Sequence, residues 1–324
     1  MVKAFGLLSG GLDSILAAKI LIDQGIEVVG VSFKTPFFDS IKGEKAAEML
    51  GIKLKVVDIT EPHIKMLKNP RYGYGSNLNP CIDCHALMLR SAGKLMEKEG
   101  GDFLFTGEVL GQRPMSQTRS GLNAVEKISG YKGKILRPLS ALKLKETWME
   151  KEKLVDRTKL YGFTGRSRKP QIELAKKLGI LEYPGSAGGC LLTDPRFSER
   201  LKDLINHRKD FKPRDLELLK IGRHLRISDN FKLVVGRNKI ENEKIMLLIQ
   251  NDDRWFKVEN YPGPIGLVPY GKEMTDLYLA ASICVRYSDA NSNKEVSVIT
   301  ETIDKEERIK VVACSPKITE DLII

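Results

Sequence analysis

The stretch Leu7-Leu8-Ser9-Gly10-Gly11-Leu12-Asp13-Ser14 decides the fold, because a strand, a turn and a helix meet in it without a gap. The apolar run Val2–Leu8 predicts a buried strand, and apolar residues at helical spacing begin where the glycines end. Two adjacent glycines permit positive φ and close approach of a ligand, and Ser9, Asp13 and Ser14 are predicted to cap the helix. The N–H groups of the first helical turn then form a site for phosphate or pyrophosphate.

Two better-known phosphate loops are excluded by the same residues. No Lys follows the second glycine, and the three-glycine dinucleotide fingerprint is absent from this stretch. Phosphate sites of parallel-sheet proteins lie after the first strand, which is where this turn falls. An ordinary glycine turn without a ligand is the alternative interpretation.

Length and charge indicate two domains and a polyanionic partner. The 324 residues suffice for about two domains with a substantial core. The formal net charge of +11 and the pI of about 9.3 make nucleic acid the natural candidate partner. A Lys- and Glu-rich surface with no such partner is the alternative.

The chain is expected to be cytoplasmic and to have no membrane partner. Met1-Val2-Lys3 leads straight into the first predicted strand, so no signal peptide is expected. No apolar run approaches the ~20 residues that span a bilayer. Five cysteines, an odd number, argue against a disulfide framework and favour metal binding or catalysis by some of them.

Alternating strand and helix patterns predict an α/β domain, a doubly wound parallel sheet, over residues 1–208. From 209 to 324 shorter elements predict a second, smaller α+β domain. The predicted strands of the first domain are Val2–Leu8, Ile26–Phe33, Ile52–Asp58, Asp102–Thr106 and Lys134–Leu139, and its predicted helices include Ile41–Leu50, Cys84–Glu99, Lys145–Val155 and Gln171–Leu178. In the second domain, Lys244–Gln250 is among the predicted strands.

Ligands of parallel sheets gather at the carboxyl ends of the strands. Ser9, Ser32-Phe33 and Thr106-Gly107 each follow or end a predicted strand. We therefore expect them to face one crevice, with Asn69–Pro80 forming a long loop beside it.

Three cysteines are candidates for sulfur or metal chemistry. Cys81 and Cys84 open a predicted helix, whose dipole favours thiolates, and Cys190 lies in the glycine-rich segment Gly185–Leu191, which could fold over the crevice. Three thiolates leave one coordination position open. The residues allow a 4Fe-4S cluster with a free iron for sulfide, persulfide chemistry on Cys190 with Cys84 as resolving thiol and no metal, or structural zinc with His85 or another residue as fourth ligand.

Five segments within residues 1–195 resemble, in order, the catalytic domain of the tRNA 4-thiouridine synthases, which split ATP into AMP and pyrophosphate. The string Thr-Gly-Glu…Gly-Gln…Ser-Gln-Thr separates that family from other enzymes with a pyrophosphate loop. The matching segments are Ser9–Ser14, Gly30–Phe33 with Pro36-Phe37, Cys81-x-x-Cys84 with Met88 and Arg90, Thr106–Gln112 with Ser116-Gln117-Thr118, and Leu136–Leu139.

The resemblance implies that ATP adenylates a uridine carbonyl oxygen in tRNA and that sulfur then displaces AMP. Cys190 matches the late catalytic cysteine, and Cys81 with Cys84 matches the pair that binds a cluster in the archaeal-type branch. Mg²⁺ would bridge the phosphates, with Asp13 as a candidate ligand. For nucleotide binding, the resemblance implies Ser9, Gly10, Gly11, Asp13 and Ser14 at the phosphates, Ser32 and Phe33 at adenosine, and Gly107 and Gln117 in the rest of the pocket. For catalysis it implies Cys190, Cys84 and Asp13, and for the cluster it implies Cys81, Cys84 and Cys190.

Two departures from that family change the expected contacts with RNA. The usual N-terminal RNA-binding modules are not expected, because the loop begins at residue 9, and His85 stands where the family commonly carries Lys or Arg. The spacing from Gly107 to Gln117 is one residue longer than usual.

Residues 222–290 resemble the RNA-binding domain of the ribosome quality-control NFACT proteins. The resemblance rests on Gly222-Arg223, Val234–Asn238, Glu241–Glu243, Trp255–Val258 and Pro262-Gly263-Pro264. Arg254, Trp255, Phe256 and Lys257 suit backbone contacts and stacking on unpaired bases. The alternative is that Trp255 and Phe256 form the core of a strand.

The expected function is therefore that of an ATP-dependent tRNA sulfurtransferase that forms 4-thiouridine, with sulfide or a persulfide carrier as sulfur donor. A homodimer is one of the open oligomeric states. The rival functions are 2-thiouridine synthesis at the wobble uridine, which uses a stretch like Asn79-Pro80, a pyrophosphate-loop ligase acting on a small molecule, and a non-catalytic RNA-binding protein.

Overall fold

The computed structural model describes residues 1–183 and 189–324. Those residues form two compact units, Met1–Thr193 and Asp194–Ile324. Residues 184–188 lie outside the described part, so the predicted segment Gly185–Leu191 is described only from Gly189 onward. None of the described helices combines the length and the apolar character that a membrane crossing requires.

The first unit alternates strands and helices as predicted. Its strands pair in parallel in the order β3-β2-β1-β4-β5, which confirms the predicted doubly wound sheet. The elements are β1 (Lys3–Leu7), α1 (Leu12–Ile22), β2 (Glu27–Lys34), α2 (Ile41–Leu50), β3 (Lys53–Asp58), α3 (Thr60–Lys68), α4 (Cys81–Lys98), β4 (Phe103–Phe105), α5 (Arg119–Ser129), β5 (Ile135–Leu136), α6 (Trp148–Lys151) and α7 (Lys169–Lys177).

Two apolar cores cover the two faces of this sheet, because neighbouring side chains of a strand point to opposite sides. In β1, Ala4 enters the core that contains α1 and α7, whereas Phe5 enters the core that contains α4 and α5. In β4, Phe103 and Phe105 enter the first core and Leu104 the second. Helices therefore shield both faces, and the carboxyl ends of the strands form the edge where ligands bind in such sheets.

The strand order reverses between β1 and β4, so the turns that follow these two strands meet. Gly107 follows β4 and lies against the first turn of α1. A Cβ atom on Gly107 would lie 2.5 Å from the carbonyl carbon and oxygen of Asp13. Only glycine permits this approach, which brings the two predicted motifs together.

One helix of the first unit is much shorter than predicted, and two others, α3 and α5, have no counterpart in the prediction. The predicted helix Lys145–Val155 is reduced to α6, because Thr147 and Glu150 form a capping box at its start and Lys153 follows with a φ of 58°. Helix α5 is unpredicted, and it begins where the Thr118 hydroxyl accepts a hydrogen bond from the amide of Gly121 at 3.0 Å.

The second unit is an α+β domain around one antiparallel sheet, in the order β11-β10-β8-β9-β7-β6. The predicted strand Lys244–Gln250 is wrong, because Asn238 caps a helix there and accepts from the amide of Glu241 at 3.0 Å. The elements are α8 (Pro195–His207), α9 (Pro213–Leu218), β6 (Arg223–Arg226), β7 (Lys232–Val235), α10 (Lys239–Leu247), β8 (Arg254–Val258), β9 (Ile265–Val268), α11 (Tyr278–Arg286), β10 (Val296–Glu301), β11 (Glu306–Val311) and α12 (Pro316–Leu322).

The boundary between the units lies at Thr193 and Asp194 instead of the predicted residue 208. Helix α8 belongs to the second unit, because Asp203 pairs with two cations of its sheet. The carboxylate of Asp203 accepts from Arg226 Nε at 3.0 Å and from Lys232 Nζ at 3.0 Å. The predicted boundary therefore divides the second unit.

Candidate functional site

The glycine turn after β1 presents backbone amides at the start of α1. Gly10 has a φ of +74°, and a Cβ atom there would collide with the carbonyl group of Lys42. Among the described residues no side chain caps α1, so the predicted capping by Ser9, Asp13 and Ser14 is wrong. The Ser14 hydroxyl instead donates to the Gly11 carbonyl at 2.8 Å. An uncapped helix start keeps its first amides for an anion.

Asp13 is held by two glutamines and keeps one oxygen unused. Its Oδ2 accepts from Gln112 Nε2 at 2.7 Å, and Gln112 Oε1 accepts from Gln171 Nε2, on α7, at 3.0 Å. Its Oδ1 is buried and has no hydrogen-bond partner among the described residues. Burial raises the pKa of Asp13. The hydrogen bond from Gln112 and the charge of Arg168 lower it, but they offset the effect of burial only in part. A buried carboxylate oxygen without a donor fits a divalent cation such as Mg²⁺.

Further unpartnered polar atoms lie on the segments that follow β4 and begin α7. Buried polar groups normally have partners, so such a concentration indicates a ligand. Gln117 lies in the same loop as Gln112, and its main-chain oxygen accepts from the Gly111 amide at 2.7 Å. Within the described part of the chain, the buried atoms without a partner here are Ser116 Oγ, Gln117 Oε1, Arg168 Nε and Gln171 Oε1.

The predicted adenosine residues Ser32 and Phe33 use their side chains within the protein. The Ser32 hydroxyl donates to the carbonyl of Leu8, and the Phe33 ring lies in the core of the second sheet face. Both residues are buried. Any contact that they make with a nucleotide would therefore use the main chain at the end of β2.

The structure brings the three candidate thiols together. Cys81 and Cys84 lie in the first turn of α4, and Cys190 is anchored by its neighbour Leu191, whose amide donates to the Phe37 carbonyl at 3.0 Å. The thiols of Cys81 and Cys190 lie close enough to Cys84 for their charges to affect its ionisation. Asn77, from the long loop, donates to the carbonyl of Thr193 at 2.8 Å and fixes the same segment.

Arg113 lies near both the thiols and the glycine turn. Its guanidinium is close enough to both Cys190 and Asp13 for its charge to lower the pKa of each. Cys190 therefore lies at the carboxyl edge of the sheet, on the side of Asp13 and the glycine turn.

The surroundings of the thiols disfavour free thiolates. Burial, followed by the charges of Cys190, Cys81 and Asp83, raises the pKa of Cys84 well above its usual range. Burial raises the pKa of Cys190 to about 11. Sulfur donors of this kind suit a cationic metal group, which would stabilise them as thiolates. Residues 1–183 and 189–324 contain no group of three or more His, Cys, Asp or Glu side chains already arranged around a metal position.

A buried network of charged side chains contacts the start of α4. Glu108 accepts from His85 Nδ1 at 2.8 Å and from Arg137 Nε at 3.0 Å. Burial opposes ionisation, but the charges of Arg137 and His85 prevail and lower the pKa of Glu108 to about 2. His85, a candidate zinc ligand, is thus oriented by Glu108 next to Cys84.

A family model described as thiamine biosynthesis protein (ThiI) matches residues 2–173, more than half of the chain. The chain belongs to the ThiI family. A second model, described as NFACT protein RNA binding domain, matches residues 222–321. The ThiI match covers β1 to α7, and with them the glycine turn, Asp13, Gln112 and Gln171.

Curated relatives of this ThiI-family chain are tRNA-thiolating enzymes by name. A probable tRNA sulfurtransferase of Bacillus licheniformis is 30% identical over 163 residues, which are 48% of this chain and 38% of the relative. The tRNA-specific 2-thiouridylase MnmA of Sulfurimonas denitrificans is 35% identical over 113 residues, 32% of this chain and 33% of the relative. The chain thus spans about a third of the length of the curated relatives that it matches.

Among solved structures, a 4-thiouridine synthetase in complex with RNA and bound ATP is similar to the chain. The sequence identity is 23% and the TM-score is 0.42, over 68% of this chain and 52% of that chain.

Sequence reasoning missed five residues of the candidate site, one of them Arg113, which belongs to no predicted motif. Gln171 and Arg168 at the start of α7, and His63 on α3, belong to no motif, and only the packing of distant helices brings them to Asp13 and Cys84. Gln112 was part of a motif, but its bond to Asp13 was not foreseen.

Part of the predicted RNA-stacking segment is interior. Arg254 and Phe256 are buried, whereas Lys257 is exposed. Arg254 donates to the carbonyl of Lys272 at 3.0 Å. The strand-core interpretation is therefore confirmed for Phe256, and Trp255 is partly buried against a core cluster of the second unit.

Gly11→Ala is expected to weaken ATP binding at least about tenfold while changing the free energy of unfolding by less than about 1 kcal/mol. Gly11 has a φ of −78°, which suits any residue, and a Cβ there would lie 3.5 Å from Ser9 Oγ. The added methyl group therefore meets the ligand and not the protein. Isothermal titration with ATP and urea unfolding check both halves. Gly107→Ala, whose Cβ would meet backbone, is the control expected to lose stability, and wild-type affinity in Gly11→Ala would contradict a phosphate site at the turn.

Proposed function

We propose that this chain is an ATP-dependent tRNA sulfurtransferase that adenylates the O4 atom of a uridine and replaces it with sulfur, forming 4-thiouridine. The observation that carries the proposal is the position of Arg113, which lies near both Asp13 at the glycine turn and Cys190 among the thiols. Membership of the ThiI family and relatives named as tRNA sulfurtransferases support it.

In the first step the uridine O4 attacks the α-phosphorus of ATP, pyrophosphate leaves, and the N3 proton is released to solvent. The amides at the start of α1 bind the phosphates, and Arg168 stabilises the negative charge that develops on the leaving group. Asp13 would hold Mg²⁺, which would offset the negative charge of the phosphates. The main chain of Ser32 and Phe33 would contact adenosine, with Gly107 and Gln117 completing the pocket.

In the second step a sulfur nucleophile attacks C4, the C4–O bond breaks and AMP leaves. We propose that Cys81, Cys84 and Cys190 hold a 4Fe-4S cluster, which would supply an open iron that binds sulfide. The alternative uses no metal. There, the terminal sulfur of a Cys190 persulfide attacks C4, the Cys84 thiolate attacks the resulting disulfide and releases 4-thiouridine, and a dithiol reductant reopens the Cys84–Cys190 bond.

The second unit is proposed to bind the tRNA. Its match to an RNA-binding domain model supports this role. Phe256 is interior and Lys257 is exposed. This surface therefore suits contacts between exposed cations and the RNA backbone.

A second candidate is 2-thiouridine synthesis, favoured by the 35% identity to a 2-thiouridylase and by Asn79-Pro80 ahead of Cys81. Mass spectrometry of tRNA nucleosides from a deletion strain separates the two products. Loss of 4-thiouridine is expected, and its persistence would exclude the first proposal.

ATP/pyrophosphate exchange by the purified chain is expected to require tRNA, and exchange unaffected by tRNA would favour a small-molecule ligase.

Cys190→Ser is expected to reduce thiolation at least about 10³-fold, because a reacting thiol is lost, while adenylation stays measurable. Cys314→Ser, a cysteine of the second unit, is the matched control. Iron and acid-labile sulfide in anaerobically purified protein decide between the two sulfur routes: a fully active protein without iron would exclude the cluster.

A further inference from the structure

His63 is a fully buried histidine that lies against a candidate sulfur ligand. Its Nε2 atom is 3.4 Å from Cys84 Sγ. The rings of Phe37 and Phe38 enclose it, with centroids 5.2 Å and 5.7 Å from that of the imidazole. Its other nitrogen, Nδ1, is buried and has no partner among the described residues. The function proposed above gives this histidine no task.

The surroundings determine which nitrogen carries the proton. The ring is fully buried and neither of its nitrogens bonds a carboxylate among the described residues, so the neutral form with a single N–H fits this place. A hydrogen on Nδ1 would leave a buried donor unpaired, which costs more than leaving a lone pair unpaired. A hydrogen on Nε2 points at the Cys84 sulfur. A metal-bound or ionised sulfur accepts hydrogen bonds and cannot donate one, so the pair is complementary.

We propose that His63 is a positioning residue that donates its Nε2–H to the sulfur of Cys84. The inference rests on the proposed function in one respect, namely that the sulfur of Cys84 is a thiolate or is bound to a metal. The hydrogen bond would fix the Cys84 side chain and withdraw electron density from its sulfur without adding a charge. Hydrogen bonds to cysteine sulfur are among the features that set the reduction potential of an iron–sulfur cluster.

The same packing ties His63 to the third cysteine. Phe37, which contacts the imidazole, accepts the Leu191 amide through its carbonyl at 3.0 Å, one residue beyond Cys190. Displacement of the ring would therefore disturb both thiol-bearing segments. A neutral donor enclosed by aromatic rings suits this place. A positively charged imidazolium would be buried here without a carboxylate among the described residues to pair with it.

Three variants of the full-length chain separate the hydrogen bond from packing. His63→Leu keeps the volume and removes the donor, and His63→Gln keeps an N–H near the Nε2 position. Phe38→Leu disturbs the packing around the ring and leaves the donor intact. Each protein would be purified anaerobically, and the midpoint potential and the rate of iron loss to a chelator would be measured.

His63→Leu is expected to shift the potential to more negative values and to lose iron about tenfold faster, with both effects largely restored in His63→Gln. Phe38→Leu should resemble the wild type in potential. Equal potentials and rates in wild type and His63→Leu, or an equal change in Phe38→Leu, would overturn the inference.

A wild-type protein that binds no iron would refute the cluster and leave His63 testable. In a Cys81→Ser, Cys190→Ser, Cys314→Ser background, the rate of iodoacetamide alkylation, followed by mass spectrometry of the Cys84 peptide, reports the Cys84 thiolate. It should fall about tenfold in His63→Leu and recover in His63→Gln, because the donor stabilises the thiolate. Equal alkylation rates in all three proteins would exclude the hydrogen bond.

Discussion

Asp13→Asn is expected to lose about 10³-fold of its tRNA-dependent adenylation, while its unfolding midpoint stays at or above that of the parent protein. The carboxylate has one oxygen bonded to Gln112 and one buried oxygen without a partner among residues 1–183 and 189–324, the position proposed for Mg²⁺. The amide keeps the shape but supplies no charge to the cation. The variant therefore loses the metal ligand and the desolvation penalty together.

The direction of the stability change depends on pH. Burial raises the pKa of Asp13 in the folded state, so its ionised form opposes folding at neutral pH. This penalty disappears as the pH falls and the folded protein takes up a proton. The stability advantage of Asp13→Asn should therefore be largest near pH 7 and shrink on acidification.

Pyrophosphate exchange with Mg²⁺ and urea unfolding at several pH values check both expectations. Asp58→Asn is the matched control, because Asp58 ends β3 at the same edge of the sheet and bonds the Thr60 amide at 2.9 Å, a contact that Asn preserves. Full exchange activity in Asp13→Asn would remove this residue from the catalytic set. A lower unfolding midpoint at pH 7 would show that its second oxygen has a partner in solution.

The features that the sequence predicts correctly are local. Strand β1, the turn with positive φ at Gly10 and the helix α1 follow from neighbouring residues, because apolar runs and glycines act within a few positions. The parallel, doubly wound sheet follows from the alternation of strands and helices, whereas its strand order comes from the structure. Local capping decides the elements that were predicted wrongly, such as α10, where Asn238 outweighs a strand-like apolar run.

The features that the sequence does not reveal are contacts across long separations. Gln171 reaches the Asp13 network from α7, and His63 reaches Cys84 from α3, although neither belongs to a motif. The domain boundary depends on Asp203, whose ion pairs join α8 to a sheet that follows it in the chain. Such partners become visible only when distant elements pack together.

Arg137→Met is expected to lower the free energy of unfolding of the first unit by about 3–5 kcal/mol, the cost of leaving a buried charge without its partner. Arg137 is 3% exposed and bonds Glu108 at 3.0 Å and Glu126 at 2.5 Å. Without the guanidinium, the remaining partner of Glu108 is His85, which carries a positive charge only when it is protonated. Methionine fills much of the same space, so the loss reports charge and hydrogen bonding more than volume.

The dependence on pH identifies Glu108 as the group left without compensation. Its pKa is lowered to about 2 in the folded protein, so the network stabilises the fold above the usual range of a glutamate and loses this contribution as the pH falls toward 2. The difference between Arg137→Met and the parent should therefore be greatest near pH 7 and diminish in acid.

Urea unfolding followed by Trp148 fluorescence in a Trp255→Phe background reports the first unit alone, because these are the two tryptophans and they lie in different units. Glu126→Gln is the matched control, since Glu126 lies at the more exposed end of the network, and it should cost no more than about 1 kcal/mol. Because Glu108 also orients His85 beside Cys84, Arg137→Met should disturb the thiol site as well as the fold. A variant as stable as the parent at pH 7 would mean that Glu108 is neutral or hydrated, and the support proposed for the start of α4 would then have to come from His63 and the aromatic rings around it.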